Sequence, residues 1–358
     1  MKSCDIILPV WNELDVTKRC IDSIIKHTDS PYRLIAIDNA SDKDTEEYLK
    51  SLSNIKGLDL VLIRNEKNLG FVKAINQGIE KSRAPYICTA NNDIVVTAGW
   101  LSEMIGIMDA NLKIGLINPA SNTSGQNPDD GESIDDYALR LKQFNGKFQE
   151  LYTCRGYCMV IRREVIDTLG PLDDIYHFGY FDDTDYCKRA QKAGFKTVLA
   201  KGAYIYHKGS VSFKKLADSG DLFEKNEKIF FERWGRQVRV GYFLNRVDSR
   251  ERVDAITSFV ARSGHQISVF LKRKAVWPVT LDHYDIRRVD LNPCFFEFIC
   301  LYKILKRRKK KKVDIVLTDD AAFGRMLKMT ESIHGSDVLI EADESTLAKA
   351  LTDKSRDF

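Results

Sequence analysis

Short apolar runs alternate with helical patterns along the first hundred residues. The apolar runs have the length of buried strands, and apolar residues at spacings of three and four between them predict helices. The strand-like runs are 5–10, 33–38, 58–63 and 86–90, and the helical patterns are 16–25, 41–52 and 69–81. This alternation is typical of an α/β fold with a mainly parallel sheet flanked by helices.

The pattern changes twice further along the chain. Residues 119–150 are rich in Asn, Ser, Gly and Asp and predict a long polar loop of the kind that often serves binding. Order returns with 152–162, a helix over 184–193, strands over 196–200 and 203–206, and a helix over 222–234. After Gly235 a second series of strands (238–244, 266–271, 313–317, 338–340) alternates with helices (250–263, 295–305, 321–330, 345–351). We therefore predict two domains, 1–237 and 238–358, the second a smaller α/β unit.

Polar residues cluster where three of the predicted strands end. The clusters are 11–13 (Trp-Asn-Glu), 38–39 (Asp-Asn) and 91–93 (Asn-Asn-Asp). In open α/β sheets, ligands bind outside the carboxyl ends of strands, so the three clusters point to one crevice. Capping of the helix that follows each strand is the alternative for each cluster taken singly.

Composition narrows the class of protein. Hydrophobic residues make up 44% of the 358 residues and charged residues 30%, which suits a globular chain and excludes a disordered polyelectrolyte or a fibre. The net charge of +4 is concentrated in seven consecutive basic residues, 306–312, so we expect no nucleic-acid partner. The eight cysteines form no CxxC pair, no apolar run approaches ~20 residues, and Asp5 stands where a signal peptide would be apolar. A reduced cytoplasmic protein is the expectation.

Candidate chemistry rests on carboxylates. The sequence contains no P-loop, no GxGxxG and no HExxH motif. It therefore lacks the motifs that usually indicate nucleotide hydrolysis, dinucleotide binding or zinc proteolysis. Asp93 follows a strand, Asp182 and Asp183 open a helix, and His207 follows another strand.

These residues, taken in order, resemble family 2 inverting glycosyltransferases of the GT-A fold. The resemblance covers about residues 3–235. The segments that carry it are 7–12 (ILPVWN), 37–42 (IDNASD), 65–71 (NEKNLGF) with 76–78 (NQG), 91–93 (NND), 181–190 (FDDTDYCKRA), 193–195 (AGF) and His207.

The resemblance implies a role for each matched position. Asp183 holds the position of the catalytic base, and Asp182 beside it contacts the acceptor or positions the loop. Arg155 and Gly156 border the acceptor site, and Asp93 with His207 holds a divalent metal, Mn²⁺ or Mg²⁺. The implied donor-binding residues are Pro9, Val10, Trp11, Asn12, Glu13, Asp38, Asn68, Gly70, Lys73, Asn91, Asn92 and Asp93.

The chemistry of sugar transfer suits this set. A divalent cation neutralises the charge that develops on a leaving diphosphate, and hard oxygen ligands with a neutral imidazole suit Mn²⁺. Two positions depart from the family pattern. Asn91 replaces the first of two acids, which removes one negative charge near the metal, and Asp182 replaces a Glu.

The expected function is transfer of a sugar from a UDP or dTDP sugar to a hydroxyl of a glycan or a lipid-linked saccharide, in surface polysaccharide synthesis. Such an enzyme would work in the cytoplasm or at the inner face of the membrane. A catalytically weak or dead glycan-binding scaffold is one alternative. A nucleotidylyltransferase is another, but it needs a Gly-rich loop after the first strand, and residues 9–13 contain no Gly.

Residues 238–358 leave two interpretations open. The segments 263–270 and 312–317 resemble the N-terminal half of a GT-B glycosyltransferase, so this unit is either the start of a GT-B domain or an accessory module. Residues 295–312 join an aromatic run to the basic residues. They fit a peripheral membrane contact or, alternatively, a buried helix with a solvated basic end.

Overall fold

The strand at the N-terminus, Cys4–Val10, pairs on both sides and is the centre of the first sheet. The structure is a computed structural model that describes residues 2–209, 219–305 and 312–357. Its contacts divide the chain into two units, Met1–Phe230 and Phe231–Phe358.

The first unit contains nine strands and eight helices within the described residues. The strands are β1 (Cys4–Val10), β2 (Tyr32–Asp38), β3 (Leu60–Arg64), β4 (Tyr86–Ala90), β5 (Ile94–Val96), β6 (Ile114–Ser121), β7 (Phe148–Glu150), β8 (Cys158–Arg162) and β9 (Lys196–His207). The helices are α1 (Leu14–His27), α2 (Lys43–Ser51), α3 (Phe71–Lys81), α4 (Trp100–Ala110), α5 (Ile134–Leu141), α6 (Arg163–Leu169), α7 (Asp182–Lys192) and α8 (Ser219–Trp234), which ends beyond the unit boundary.

The strand order of the first sheet is β3-β2-β1-β4-β8-β6-β9-β5, with β7 paired to β9. Strands β3, β2, β1 and β4 are parallel, and β6 runs parallel to β9. Strand β8 pairs antiparallel with β4 and β6, and β5 and β7 pair antiparallel with β9. This arrangement brings the ends of β1, β2 and β4 to one edge, and it sets Asp93, just before β5, beside the end of β9.

The second unit is a parallel sheet with helices. Its strands β10 (Arg239–Leu244), β11 (Gln266–Lys272), β12 (Ile286–Leu291), β13 (Ile315–Thr318) and β14 (Asp337–Ile340) lie in the order β12-β11-β10-β13-β14. The helices are α9 (Arg250–Arg262), α10 (Phe296–Leu305), α11 (Ala321–Lys328), α12 (Glu331–His334) and α13 (Glu344–Arg356). The predicted fold class, an α/β unit with a smaller parallel unit after it, is confirmed.

Several elements differ from the sequence-based expectation. The stretch 119–150, predicted as loop, holds the end of β6, α5 and β7. The two strands predicted at 196–200 and 203–206 are one strand, β9, whose register with β6 shifts between Pro119 and Ala120. Gly202 suits this irregularity, because a Cβ there would lie 2.9 Å from the Asn145 backbone.

The pattern did not predict α4, β6 or β12, for opposite reasons. All eight residues of β6 are buried, so this strand has no polar face. Six of the eleven residues of α4 are buried, so apolar residues cover most of that helix: Trp100, Leu101, Met104, Ile105, Ile107 and Met108. Strand β12 lies at the edge of its sheet with most of its side chains partly or fully exposed. Periodicity is informative only where one face is buried and the other is not.

Candidate functional site

The turns after β1 and β2 are tied to each other. Asn12 donates its backbone N–H to the Ser41 hydroxyl (2.9 Å), and the Asn12 side-chain oxygen accepts from the backbone N–H of Asp42 (2.7 Å). Asn12 and Glu13 both have positive φ, 58° and 61°, which cross-links of this kind stabilise. Of the predicted donor residues 9–13, Pro9 and Val10 thus end β1, and residues 11–13 form a turn that Asn12 ties to the turn after β2.

Asp38 is buried at the end of β2, and both of its oxygens are engaged. One oxygen accepts from the Ser41 backbone N–H (2.9 Å), and the other pairs with Arg64. Arg64 also pairs with Glu46 (3.0 Å). Asp38 thus fixes the turn after β2 and neutralises Arg64.

A network of side-chain amides joins that turn to the segment before α3. Asn65 donates to the side-chain oxygen of Asn39 (2.8 Å) and exchanges hydrogen bonds with Gln77. Asn39 donates to the carbonyl oxygen of Gly70 (3.2 Å). Gly70 has φ 88°, and a Cβ there would lie 3.0 Å from the His177 carbonyl, so glycine is required.

The predicted donor residue Lys73, in the first turn of α3, is exposed.

Of the two asparagines after β4, Asn92 contacts α1 and Asn91 faces a cavity. Asn92 is buried and donates to the Thr17 hydroxyl on α1 (2.9 Å). Asn91 lines a cavity, and its backbone N–H bonds to the Tyr157 carbonyl (2.9 Å). Asn91 is therefore the amide of this pair that faces the cavity.

Asp93 and His207 come together as the sequence predicts. Asp93 Oδ1 lies 3.1 Å from His207 Nε2, both side chains are mostly buried, and the His207 ring stacks on Tyr157 at 4.8 Å between centroids. The side chain of Asn122 holds the backbone of His207, accepting from its N–H (2.8 Å) and donating to its carbonyl (2.9 Å). This clamp on His207 has no counterpart in the sequence motifs.

The same pair fits a divalent cation. Asp93 Oδ1 and both ring nitrogens of His207 are buried and make no well-aligned hydrogen bond within the described residues. Unbonded buried oxygen and imidazole nitrogen atoms are a suitable donor set for Mn²⁺ or Mg²⁺. In residues 2–209, 219–305 and 312–357, no three His, Cys, Asp or Glu side chains form a metal-binding group.

Asp183 faces the cavity with its carboxylate fully oriented. Oδ2 accepts from the Gly156 backbone N–H (2.8 Å), and Oδ1 accepts from the backbone N–H (2.6 Å) and hydroxyl (3.1 Å) of Thr184. The buried amide of Asn118 fixes the opposite segment, accepting from the Arg155 N–H (2.6 Å) and donating to its carbonyl (2.9 Å). Arg155, Gly156 and Asp183 thus line the same cavity, and their acceptor-binding and catalytic roles stay predictions.

Asp182 differs from Asp183 in its environment. It is 5% exposed, and burial, followed by the neighbouring charge of Asp183, raises the pKa of Asp182 to about 8. Burial therefore favours the protonated form of this carboxyl group. Asp185, one turn further, pairs with Arg189 (2.9 Å) and serves the helix, as its spacing predicts.

The loop before α7 is strained and held from outside. His177, Tyr180 and Phe181 have φ of 46°, 67° and 67°, a region that costs a non-glycine residue about 1–3 kcal/mol. Asn226, buried on α8, donates to two carbonyl oxygens of this loop, Tyr176 (3.0 Å) and Gly179 (2.8 Å). Helix α8 therefore maintains the backbone that leads into Asp182 and Asp183.

A cavity of about 270 Å³ is lined by Asp182, Asp183 and His207 among other residues. Of the predicted site residues, Asn91, Arg155, Gly156, Asp182, Asp183 and His207 line it. Of the other predicted donor residues, Asn68 and Gly70 precede α3 and Lys73 lies in its first turn, and the rest lie at or just after the carboxyl ends of β1, β2 and β4. None of them belongs to this lining. Sequence reasoning missed Phe71, Tyr180 and Phe223, which also line the cavity. Phe71 follows the NLG segment, but α8 carries no motif that signals Phe223.

In the second unit, hydrogen-bonded polar side chains lie where the strand order reverses, between β10 and β13. Asn245, after β10, lies 3.3 Å from oxygens of Glu297 and Asp320, and Tyr242 bonds to Asp319. In the parts of the chain that the structure describes, no helix has the length and apolar character to cross a bilayer.

Comparisons with known proteins agree with the motif analysis. Residues 5–170 match the family model described as Glycosyl transferase family 2, so Asp182, Asp183 and His207 lie beyond the matched segment. The uncharacterized protein y4gI of Sinorhizobium fredii is 28% identical over 228 residues, 58% of this chain and 24% of the relative. An uncharacterized glycosyltransferase of Rickettsia bellii is 29% identical over 106 residues, 30% of this chain and 15% of the relative. The chain thus spans a quarter or less of these relatives.

A crystal structure of GalNAc-T7 with UDP, GalNAc and Mn²⁺ is similar at a TM-score of 0.49 and 16% identity, covering 58% of this chain and 44% of that chain. The family match covers β1 to α6, including the turns after β1, β2 and β4. Over these residues, a little under half of the chain, it is similar to glycosyl transferase family 2.

Proposed function

We propose that the first unit is an inverting, metal-dependent glycosyltransferase. It takes a sugar from a UDP or dTDP sugar and passes it to a hydroxyl of a glycan or lipid-linked saccharide, in surface polysaccharide synthesis at the inner face of the membrane. The observation that carries the proposal is the oriented carboxylate of Asp183 in the cavity that His207 also lines.

Asp183 acts as the general base. The acceptor oxygen forms a bond to the anomeric carbon while its proton passes to the Asp183 carboxylate. The bond from that carbon to the diphosphate oxygen breaks, and the nucleoside diphosphate leaves with the electron pair. The three donors on Asp183 aim the carboxylate into the cavity, which places the base before the substrate arrives.

Asp93 and His207 hold the cation. When bound, Mn²⁺ or Mg²⁺ neutralises the charge that develops on the leaving diphosphate. The Tyr157 ring and the Asn122 clamp keep the imidazole of His207 in its position next to Asp93. Because Asn91 carries no charge, each of the two remaining protein ligands matters more.

Different residues bind the acceptor and the donor. A protonated Asp182 can donate a hydrogen bond to an acceptor oxygen, and the Arg155–Gly156 segment lines the same cavity. The turns after β1, β2 and β4 and the segment around Gly70 carry the donor nucleotide. Their backbone is fixed by the Asn12, Asp38 and Asn39 hydrogen bonds.

A peripheral membrane contact through residues 295–312 belongs to this proposal. One face of α10 packs into the second unit through Phe296, Cys300 and Ile304, while Phe298 is 76% and Tyr302 58% exposed. Exposed aromatic side chains next to a basic run suit an anionic lipid surface. Of that run, residues 306–311 lie outside the described residues.

A glycan-binding scaffold without transfer activity is the second candidate. Asn91 and the small set of protein metal ligands among the described residues favour it. The two candidates differ in a single assay, the release of nucleoside diphosphate from a panel of nucleotide sugars.

If the protein is a transferase, we expect it to release nucleoside diphosphate from at least one nucleotide sugar with Mn²⁺ or Mg²⁺ and from none in excess EDTA. Asp93→Ala and His207→Ala should each raise the metal concentration needed for half-maximal release. Tight binding of a donor without release from any member of the panel would favour the scaffold instead.

A further inference from the structure

Part of the cavity lining is aromatic. Phe71 begins α3, Tyr180 and Phe181 end the strained loop, and Phe223 lies on α8. The cavity lining is therefore partly apolar and partly polar, since it also contains Asp183, His207 and other polar groups. Pockets that combine an apolar surface with a few placed polar groups select ligands that carry both kinds of surface.

Tyr180 and Phe181, at the end of the loop leading into Asp182 and Asp183, pack against Phe223, Tyr180 edge to face and Phe181 tilted. The centroid of the Phe223 ring lies 5.4 Å from that of Tyr180 and 5.3 Å from that of Phe181. Phe223 is nevertheless 40% exposed. Packing within the protein therefore leaves a large part of this ring available for contact from the cavity.

Phe71 brings the aromatic surface next to the proposed base. A Cβ built on Gly156 would lie 3.7 Å from Asp183 Oδ2 and 3.8 Å from Phe71 Cε1. A molecule that presents a hydroxyl to Asp183 therefore meets aromatic carbon within a few ångströms. This places Phe71 on the acceptor side, because the base must lie beside the attacking hydroxyl, and Tyr180, Phe181 and Phe223 line the same cavity.

A sugar ring matches both parts of this lining. The face of an aromatic ring is electron-rich and attracts polarised C–H groups, which a pyranose presents on its apolar face. The hydroxyls of the same sugar lie at the edge of its ring, where the carboxylate of Asp183 can accept their hydrogen bonds. An acyclic polyol has the hydroxyls without the ring face, and an alkyl alcohol lacks the rim of hydroxyls.

We propose that Tyr180, Phe181 and Phe223 form an acceptor subsite on which a pyranose ring stacks, so that the acceptor is a saccharide recognised by its own ring. The inference rests on the proposed transferase function and adds the residues that recognise the ring of the saccharide acceptor. It assigns to α8 a second task besides holding the strained loop.

The test is saturation-transfer NMR on the full chain with UDP and Mg²⁺. The probes are methyl β-D-glucopyranoside, methyl β-D-galactopyranoside and the methyl glycoside of N-acetylglucosamine, with sorbitol and hexanol as comparators. Saturation is expected at the C–H protons of one ring face in at least one glycoside, and not in sorbitol or hexanol.

Variants then assign the binding to the aromatic surface. Phe223→Ala should reduce the signal about fivefold or more, Phe223→Leu should reduce it because an apolar side chain without a ring cannot stack, and Phe223→Tyr should retain it. Phe298→Ala, the same change at an exposed phenylalanine of the second unit, is the matched control and should leave the signal unchanged. Melting temperatures show whether each variant is folded.

Three outcomes overturn the inference. They are no saturation of any glycoside, a signal that survives both Phe223→Ala and Phe223→Leu, and stronger saturation of hexanol than of the sugars, which would indicate a lipid contact. UDP affinity, measured on the same samples, separates this failure from that of the proposed function. Loss of UDP binding counts against the transferase, whereas UDP binding without glycoside binding counts only against the subsite.

Discussion

At the scale of single residues, Asp182 and Asp183 show how two adjacent carboxyl groups can differ. Asp183 accepts three hydrogen bonds and faces the cavity, whereas burial and the charge of Asp183 raise the pKa of Asp182. Sequence reasoning predicted the importance of both, because acids at a helix start stand out. It could not separate their protonation states, which depend on burial in the folded chain.

Asp183→Asn should remove most sugar transfer while donor binding persists. The amide keeps the size of the carboxylate but cannot accept the proton, a contribution of typically ~10²–10⁴-fold. Transfer rates and the affinity for UDP, measured side by side, check this. Asp130→Asn, at an exposed acid outside the cavity, is the control. A turnover within a few-fold of wild type would mean that another group is the base.

Asp182→Asn should make the protein more stable, and increasingly so as pH rises. The pKa of Asp182 is raised to about 8 by folding, so between about pH 4 and pH 8 the folded state holds a proton that the unfolded state has lost. Wild-type stability attributable to this group therefore falls across that window, and the asparagine variant escapes the loss. Melting temperatures at pH 5 and pH 8 should show a gap that widens by a few degrees. Parallel curves would contradict the raised pKa.

At the scale of elements, the site depends on the way α8 and the amide networks hold irregular backbone. The sequence predicted β1 to β4, α7 and most of the second unit, since their apolar patterns are plain. It missed β6, because full burial removes periodicity, and α5, because polar and glycine residues precede it. Asn226, Asn118 and Asn122 act on carbonyl and N–H groups far away in the chain, which no local pattern reveals.

Asn226→Ala should destabilise the loop 177–181 and lower transfer. It removes two hydrogen bonds from buried carbonyl oxygens, which costs about 1–3 kcal/mol. The positive φ of Tyr180 and Phe181 then loses its support. Hydrogen exchange in residues 176–183 should accelerate, and the turnover number should fall more than UDP affinity. Asn127→Ala, at an exposed position, is the control. Unchanged exchange in the loop would show that α8 is not its support.

At the scale of the whole molecule, the chain combines the proposed catalytic unit with a second parallel α/β unit. Helix α10 is buried on one face only, with Phe298 and Tyr302 exposed, and a membrane contact through residues 295–312 stays a prediction. The resemblance of 263–270 and 312–317 to a GT-B half stays a prediction. The family match ends at residue 170.

Vesicle binding tests the membrane contact. Binding should require anionic lipid and weaken at high salt, since each basic residue near such a surface contributes ~1 kcal/mol that salt screens. Replacing the seven basic residues 306–312 by Gln or Ser, or Phe298 and Tyr302 by Ser, should reduce sedimentation with the vesicles. Leu139→Ser, at an exposed apolar residue of α5, should not. Equal sedimentation with neutral and anionic vesicles at low salt would contradict this contact.

The most direct test of the central claim is the anomeric configuration of the transferred sugar. A single displacement assisted by Asp183 inverts that carbon, so a donor with an α-linked sugar should yield a β-linked product. The ¹H NMR coupling constant between H1 and H2 of the product, formed by the full chain with metal present and before any anomeric exchange, reports the configuration. Inversion is the predicted result, and retention of the donor configuration would contradict the assignment of one base and one displacement.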